Sequence, residues 1–174
     1  MHRGNDSLVT QAGVTTPEMP ATVEEGLPES VRGAIGRGDA RAVAAWLDEG
    51  GGVDARCAEL SNATLLMGAA CSGHEAMVRM LLQRDASVNL QASGGTTALM
   101  AAASQGHTTT VQALLDVKAD ASLQDNDGVT AFVLAEHNKH TATAQLLRHH
   151  AEGQAAEAAR HTITLTPNRD PDLQ

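Results

Sequence analysis

Apolar residues in the middle of the chain fall in short clusters with helical spacing. Leu66, Ala69 and Ala70 recur at i, i+3 and i+4, which is one face of a helix. Gly73 then supplies a residue that tolerates φ > 0 and ends it. Met77, Val78, Leu81 and Leu82 repeat the helical spacing and predict a second helix, and a polar turn containing Gly95 follows. A shift of 33 residues lays this unit on the next one. Thr64 falls on Thr97, Leu66-Met67 on Leu99-Met100, Ala69-Ala70 on Ala102-Ala103, Gly73-His74 on Gly106-His107, and Leu81-Leu82 on Leu114-Leu115. A third copy starts at Thr130 and keeps Ala135, His140 and Leu146-Leu147. An upstream copy has Gly38-Asp39 in place of Gly-His and continues through Val43, Trp46-Leu47 and the turn Gly50–Asp54. Its offset is 35, so the loop near Cys57–Ala63 is about two residues longer than its counterparts. Two short helices cannot bury their apolar faces alone, so the units must stack. The expectation is an all-α fold of about four helix-turn-helix repeats.

The segments Gly95-Thr96-Thr97-Ala98-Leu99-Met100, Ala102-Ala103 and Gly106-His107 resemble the ankyrin repeat, as do Asn62–Met67, Ala69-Ala70 and Gly73-His74. The resemblance implies an ankyrin-type α-solenoid with projecting β-turn fingers, occupying residues 28–151 with repeats near 29–61, 62–94, 95–127 and 128–151. The family's proline is Leu65, Ala98 or Ala131 here, and the histidine of its Thr-Pro-Leu-His segment is Met67, Met100 or Val133. Loss of that histidine's hydrogen bond to the turn should weaken each unit. The family's glycine after the second helix is Asp85 or Lys118, at about 1 kcal/mol each if φ stays positive. These departures imply a marginally stable domain, melting below ~90 °C. The resemblance also implies a protein-binding concave face. Position by position it comprises Arg37, Arg56, Ser61, Ser72, Gln91, Ser93, Thr96, Gln105, Gln124, Asn126, Asp127, Val129, His137 and Asn138.

The ends lack this periodicity. Residues 1–27 mix Thr, Pro, Gly and acids and are expected to form a disordered tail, with a helix starting at Leu27-Pro28-Glu29-Ser30. Glu136 and Arg148 replace apolar residues of the earlier copies, as suits a terminal repeat facing water. Residues 152–174 should hold a helical cap extension over Gln154–Arg160, then a disordered tail from Thr162.

Composition narrows the function classes. Lys and Arg total 12 against 21 Asp and Glu, a formal charge of -9, which disfavours nucleic acid as a partner. No stretch approaches the ~18 apolar residues of a membrane span. The N-terminal residues lack the apolar core of a secretory signal, so a cytoplasmic or nuclear location is expected. Trp46 and Phe132 are the only aromatics, which leaves Ala, Leu, Val and Met to build a core of closely packed helices. Cys57 and Cys71 are read as buried free thiols, with a disulfide between them as the alternative.

Candidate chemistry is sparse. His74, His107 and His140 are evenly spaced, but equivalent residues of adjacent repeats lie roughly 8–10 Å apart. A metal needs ligands within about 2.0–2.1 Å of one centre. Since Asp39 holds the same place upstream, the column reads as caps of the second helices. His137 and His140, with His149-His150, form the best metal candidate, yet no Cys or carboxylate set supports them. Arg37-Gly38-Asp39 spells an adhesion tripeptide but is accounted for as the inter-helix turn, and Asn62-Ala63-Thr64 is a glycosylation sequon relevant only on secretion. Gly50-Gly51-Gly52 follows a helix and reads as its C-terminal turn. There is no phosphate-binding loop or nucleophile elbow. The expectation is a monomeric, non-enzymatic adaptor or regulator that binds another protein, without cofactor or metal. A small metal-dependent hydrolase using the C-terminal histidines, or a scaffold with no single partner, is the alternative.

Overall fold

The computed structural model describes residues 27–163, with side chains through residue 157. Helices come in pairs: α1 (Glu29–Arg37) with α2 (Ala40–Asp48), α3 (Leu65–Cys71) with α4 (Glu75–Gln83), α5 (Ala98–Gln105) with α6 (Thr108–Asp116), and α7 (Ala131–His137) with α8 (Thr141–Ile163). The first helices pack in series, α1 on α3, α3 on α5 and α5 on α7; the second helices follow the same order, α2, α4, α6, α8. A mostly helical chain of repeated pairs is what the periodicity predicts. One departure from all-α lies in the longer loop, where Arg56–Cys57 (β1) and Ala63–Thr64 (β2) pair antiparallel around a 3-10 turn, Ala58–Leu60. The two additional residues close a short hairpin there.

Each pair is built the same way. The hydroxyls of Thr64, Thr97 and Thr130 accept the amides of Met67, Met100 and Val133 at 3.3, 3.2 and 3.4 Å, capping the first helices. In the first of these the Thr64 amide also donates to Met67 Sδ at 3.4 Å, so a thioether satisfies a donor at the helix start. Gly38, Gly73 and Gly106 turn the chain to the second helix with φ of 72, 71 and 75°. Lys139 fills that role in the last pair at φ 63°, and Asp85 and Lys118 follow the second helices at φ 62 and 63°. The left-handed geometry is therefore kept where glycine is missing, at a cost of about 1 kcal/mol per site.

The core runs through the layers as Val43, Leu65, Leu66, Met77, Val78, Leu81, Leu99, Met100, Val111, Leu114 and Leu147, all buried. Between the first helices the contact surface is alanine: Ala69, Ala70, Ala102, Ala103 and Ala135 are fully buried. Small side chains let these helices approach closely.

Both expected domain edges move. Leu27, assigned to the tail, is 6% exposed and its amide reaches Arg56 O at 3.4 Å, so the packed body starts before Pro28. At the other end α8 runs unbroken through the expected boundary at 151/152 and still includes Thr162 and Ile163. Residues 1–26 and 164–174, which carry the rest of the expected tails, lie outside the described residues. Where Glu136 and Arg148 replace apolar residues they meet each other, Arg148 Nη2 standing 3.4 Å from Glu136 Oε1 and its guanidinium 5.6 Å above the Phe132 ring.

Candidate partner-binding face

The first helices and the fingers form one continuous face. Its floor near α1 and α3 is short of side chains. Gly68 stands where later repeats have Ala101 and Leu134, and Gly36 where they have Cys71, Ser104 and His137. On the finger side the longer loop lifts Leu60, 60% exposed, over this gap. The result is an apolar groove of about 490 Å³ between α1, α3, α5 and the finger residues. Arg32 is the one charged residue lining it. Its guanidinium pairs with Glu59 on the finger and reaches Cys57 Sγ at 3.6 Å.

The residues assigned to the face from sequence divide into two groups. Several are spent on joining repeats. Arg56 Nη1 donates to Gln91 O at 2.9 Å and to Asn62 O at 3.2 Å. Gln91 Nε2 donates in turn to Gln124 O at 2.9 Å, while Asn126 Nδ2 donates to Ser93 O at 3.0 Å. Ser93 Oγ also accepts from Asn62 Nδ2 at 3.0 Å. Asn138 Nδ2 donates to Ser104 O at 2.8 Å. A second set of rungs below the fingers uses Asp54, which accepts the Ser87 amide, and Asn89, which accepts the Asp120 amide, both at 2.9 Å. The side chains of Arg56, Gln91, Asn126 and Asn138 thus fix the shape of the face rather than present free groups.

The remaining residues lie on the surface. Arg37, Ser61, Ser72, Gln105, Gln124, Asp127 and His137 are exposed; Thr96 and Val129 are half-buried. Ser61, Ser72 and Thr96 border the groove. The Arg37 guanidinium lies along α1 above Gly33, where an added Cβ would come within 3.0 Å of it. Sequence reasoning missed Arg32, Leu60, Met67 and Gly68 as lining residues. The longer loop and the glycine at 68 were the available signals.

The histidine column has a different role from the expected cap. His74 and His107 precede second helices but make no side-chain cap bond, whereas Asp39 does so, accepting the Ala42 amide at 3.1 Å. The rings reach back instead. The Nε2 atoms of His74, His107 and His140 lie 3.2, 3.1 and 3.1 Å from the carbonyl oxygens of Gly36, Cys71 and Ser104 in the preceding repeat. A carbonyl only accepts, so each Nε2 carries a proton. This geometry ties repeats together and, with Nε2 protonated, leaves that nitrogen no lone pair for a metal. Among the described residues no group of three or more His, Cys, Asp or Glu side chains could hold a metal ion. His137 is exposed at the end of α7, and His149 Nδ1 stands 3.6 Å from Glu152. Both cysteines are free; Cys57 is buried, but Cys71 is exposed in the groove, contrary to the expectation of two buried thiols.

Two carboxyls are held charged by hydrogen bonds, Glu75 in part across a joint between repeats and Asp120 within its own loop. Hydrogen bonding to Arg79, and then to Thr109 of the next repeat, holds the Glu75 carboxyl below its ordinary value. Hydrogen bonds from the Ser122 side chain and amide do the same for Asp120.

The profile of ankyrin repeats, in three copies, matches residues 66–158. That is more than half of the chain, and it spans α3 through most of α8, so the chain belongs to the ankyrin repeat family. Ankyrin repeats are generally protein–protein interaction modules and typically not enzymes. No curated protein matches the chain. Among the described residues no helix is long and apolar enough to cross a membrane.

Proposed function

We propose that this chain is an adaptor or regulator that holds a partner protein on the face made by the first helices and fingers. The supporting observation is the division of that face. Its shape is fixed by side chains bonded across repeats, while Arg37, Ser72, Gln105 and Asp127 remain exposed beside an apolar groove. In this reading α1 and α2 form a fourth repeat ahead of the three matched ones, and the four helix pairs act as one solenoid whose concave side is the binding face. The protein works as a monomer in the cytoplasm or nucleus, without catalysis, consistent with its two free thiols and a charge of -9 that disfavours nucleic acid.

The test is affinity capture from cell extract with variants Arg37→Glu, Gln105→Lys and Asp127→Lys. Each should lose the partner while keeping the wild-type melting temperature. Arg56→Ala is the contrasting variant: it should lower the melting temperature, since it opens one bond between fingers and one within the first finger. Undiminished capture by all three face variants would reject this face.

A further inference from the structure

We infer that the groove between α1, α3 and the longer finger receives one large apolar side chain from an acidic segment of the partner, whose carboxylate pairs with Arg37. This rests on the reading above and names the partner's chemistry. The groove's walls are Ile35, Met67, Ala63, Ala92 and Ala101, with Leu60 standing over them, so an apolar side chain is the group it desolvates without cost. The space exists because this chain omits side chains at Gly36 and Gly68 and adds a finger turn; the later repeats have neither feature. No acidic residue lines the groove. Arg37 lies one step beyond Gly36, is exposed, and forms no ion pair among the described residues. The groove's own Arg32 is already paired with Glu59, so among the described residues Arg37 is the unpaired cation beside it, and a carboxylate is its complement.

Gly36 offers a clean test. Its φ is ordinary, nothing lies within 4 Å of an added Cβ, and it is exposed in the last turn of α1. Gly36→Leu should therefore fill the groove and leave the fold intact, with a melting temperature at or above wild type. The probe is a library of short random peptides displayed on phage, selected on the full chain, with binding of the recovered peptides measured by fluorescence polarisation. Enrichment of sequences with Leu, Ile, Met or Phe next to Asp or Glu is expected. Their affinity should fall about tenfold or more with Gly36→Leu and by several-fold with Arg37→Glu and Leu60→Ala. Arg41→Glu, a charge reversal on α2, should leave it unchanged. Recovery of basic peptides, or of no apolar-acidic class, would overturn the inference. So would selected peptides that Gly36→Leu still binds but Gln105→Lys does not, although the proposed function would then survive. A wild-type dimer in sedimentation that Gly36→Leu makes monomeric would assign the groove to a second copy of the chain and also overturn it.

Discussion

The imidazole of His107 occupies the space that a side chain at Gly73 would need: a Cβ on that glycine would stand 2.6 Å from the ring. The same relation joins His74 with Gly38 and His140 with Gly106, at 2.8 and 2.5 Å. Each glycine therefore serves twice, as a left-handed turn in its own repeat and as the seat for the next repeat's ring. Gly73→Ala should destabilise the protein by about 2–3 kcal/mol, the sum of an unfavourable φ and a clash. In urea denaturation the double variant Gly73→Ala/His107→Ala should be more stable than the sum of the single effects by about 1 kcal/mol. Strict additivity would show that ring and glycine are energetically independent.

Thr110 is fully buried in α6, and its hydroxyl has no hydrogen-bond partner. Valine has nearly the same shape and no polar atom to desolvate. Thr110→Val should raise stability by about 1 kcal/mol, read as a higher denaturation midpoint at unchanged slope. A lower midpoint would mean that the hydroxyl is satisfied in solution.

Asp85 and Lys118 hold left-handed backbone with ordinary side chains. Replacing either by Gly should stabilise the fold by about 1 kcal/mol, because relief of the local strain outweighs the entropy that glycine adds to the unfolded chain. Thermal melts of the two single variants and the double would check this. Losses in place of gains would place the local strain below that entropy cost.

Acid should destabilise the fold through two hydrogen-bonded carboxyls. The carboxyls of Glu75 and Asp120 are both held below their ordinary values in the folded protein. Their contribution is therefore complete above the ordinary carboxylate range, about pH 4–5, and is lost as pH falls through the lowered folded values. Melting temperature should stay level from neutral pH down to that range and then drop. Glu75→Gln/Asp120→Asn should start lower and drop less steeply. Parallel curves for the two proteins would show that these carboxyls do not carry the linkage.

The repeat was readable because its periodic signal sits in residues with a single structural meaning. Leu66 and Leu81 recur 33 residues later as Leu99 and Leu114, all four are buried, and Gly73 and Gly106 are where the chain must turn. The face was less readable. Arg56, Gln91 and Asn126 look like free polar groups in sequence, and only the separation of adjacent fingers reveals that their side chains span it. The histidines misled for a related reason. Their place before a helix suggests a cap, but the carbonyl they reach belongs to a residue 36 or 38 positions earlier. The groove arises from missing side chains at Gly36 and Gly68 and from a loop of unusual length, features that carry no motif.

The rungs that join Arg56 to Gln91 and Gln91 to Gln124 give the fingers a mechanical property that single loops lack. They behave as a strap: a pull on one loop is passed to its neighbours through shared carbonyls. A ligand gripping the first finger would therefore draw against the stiffness of the whole row.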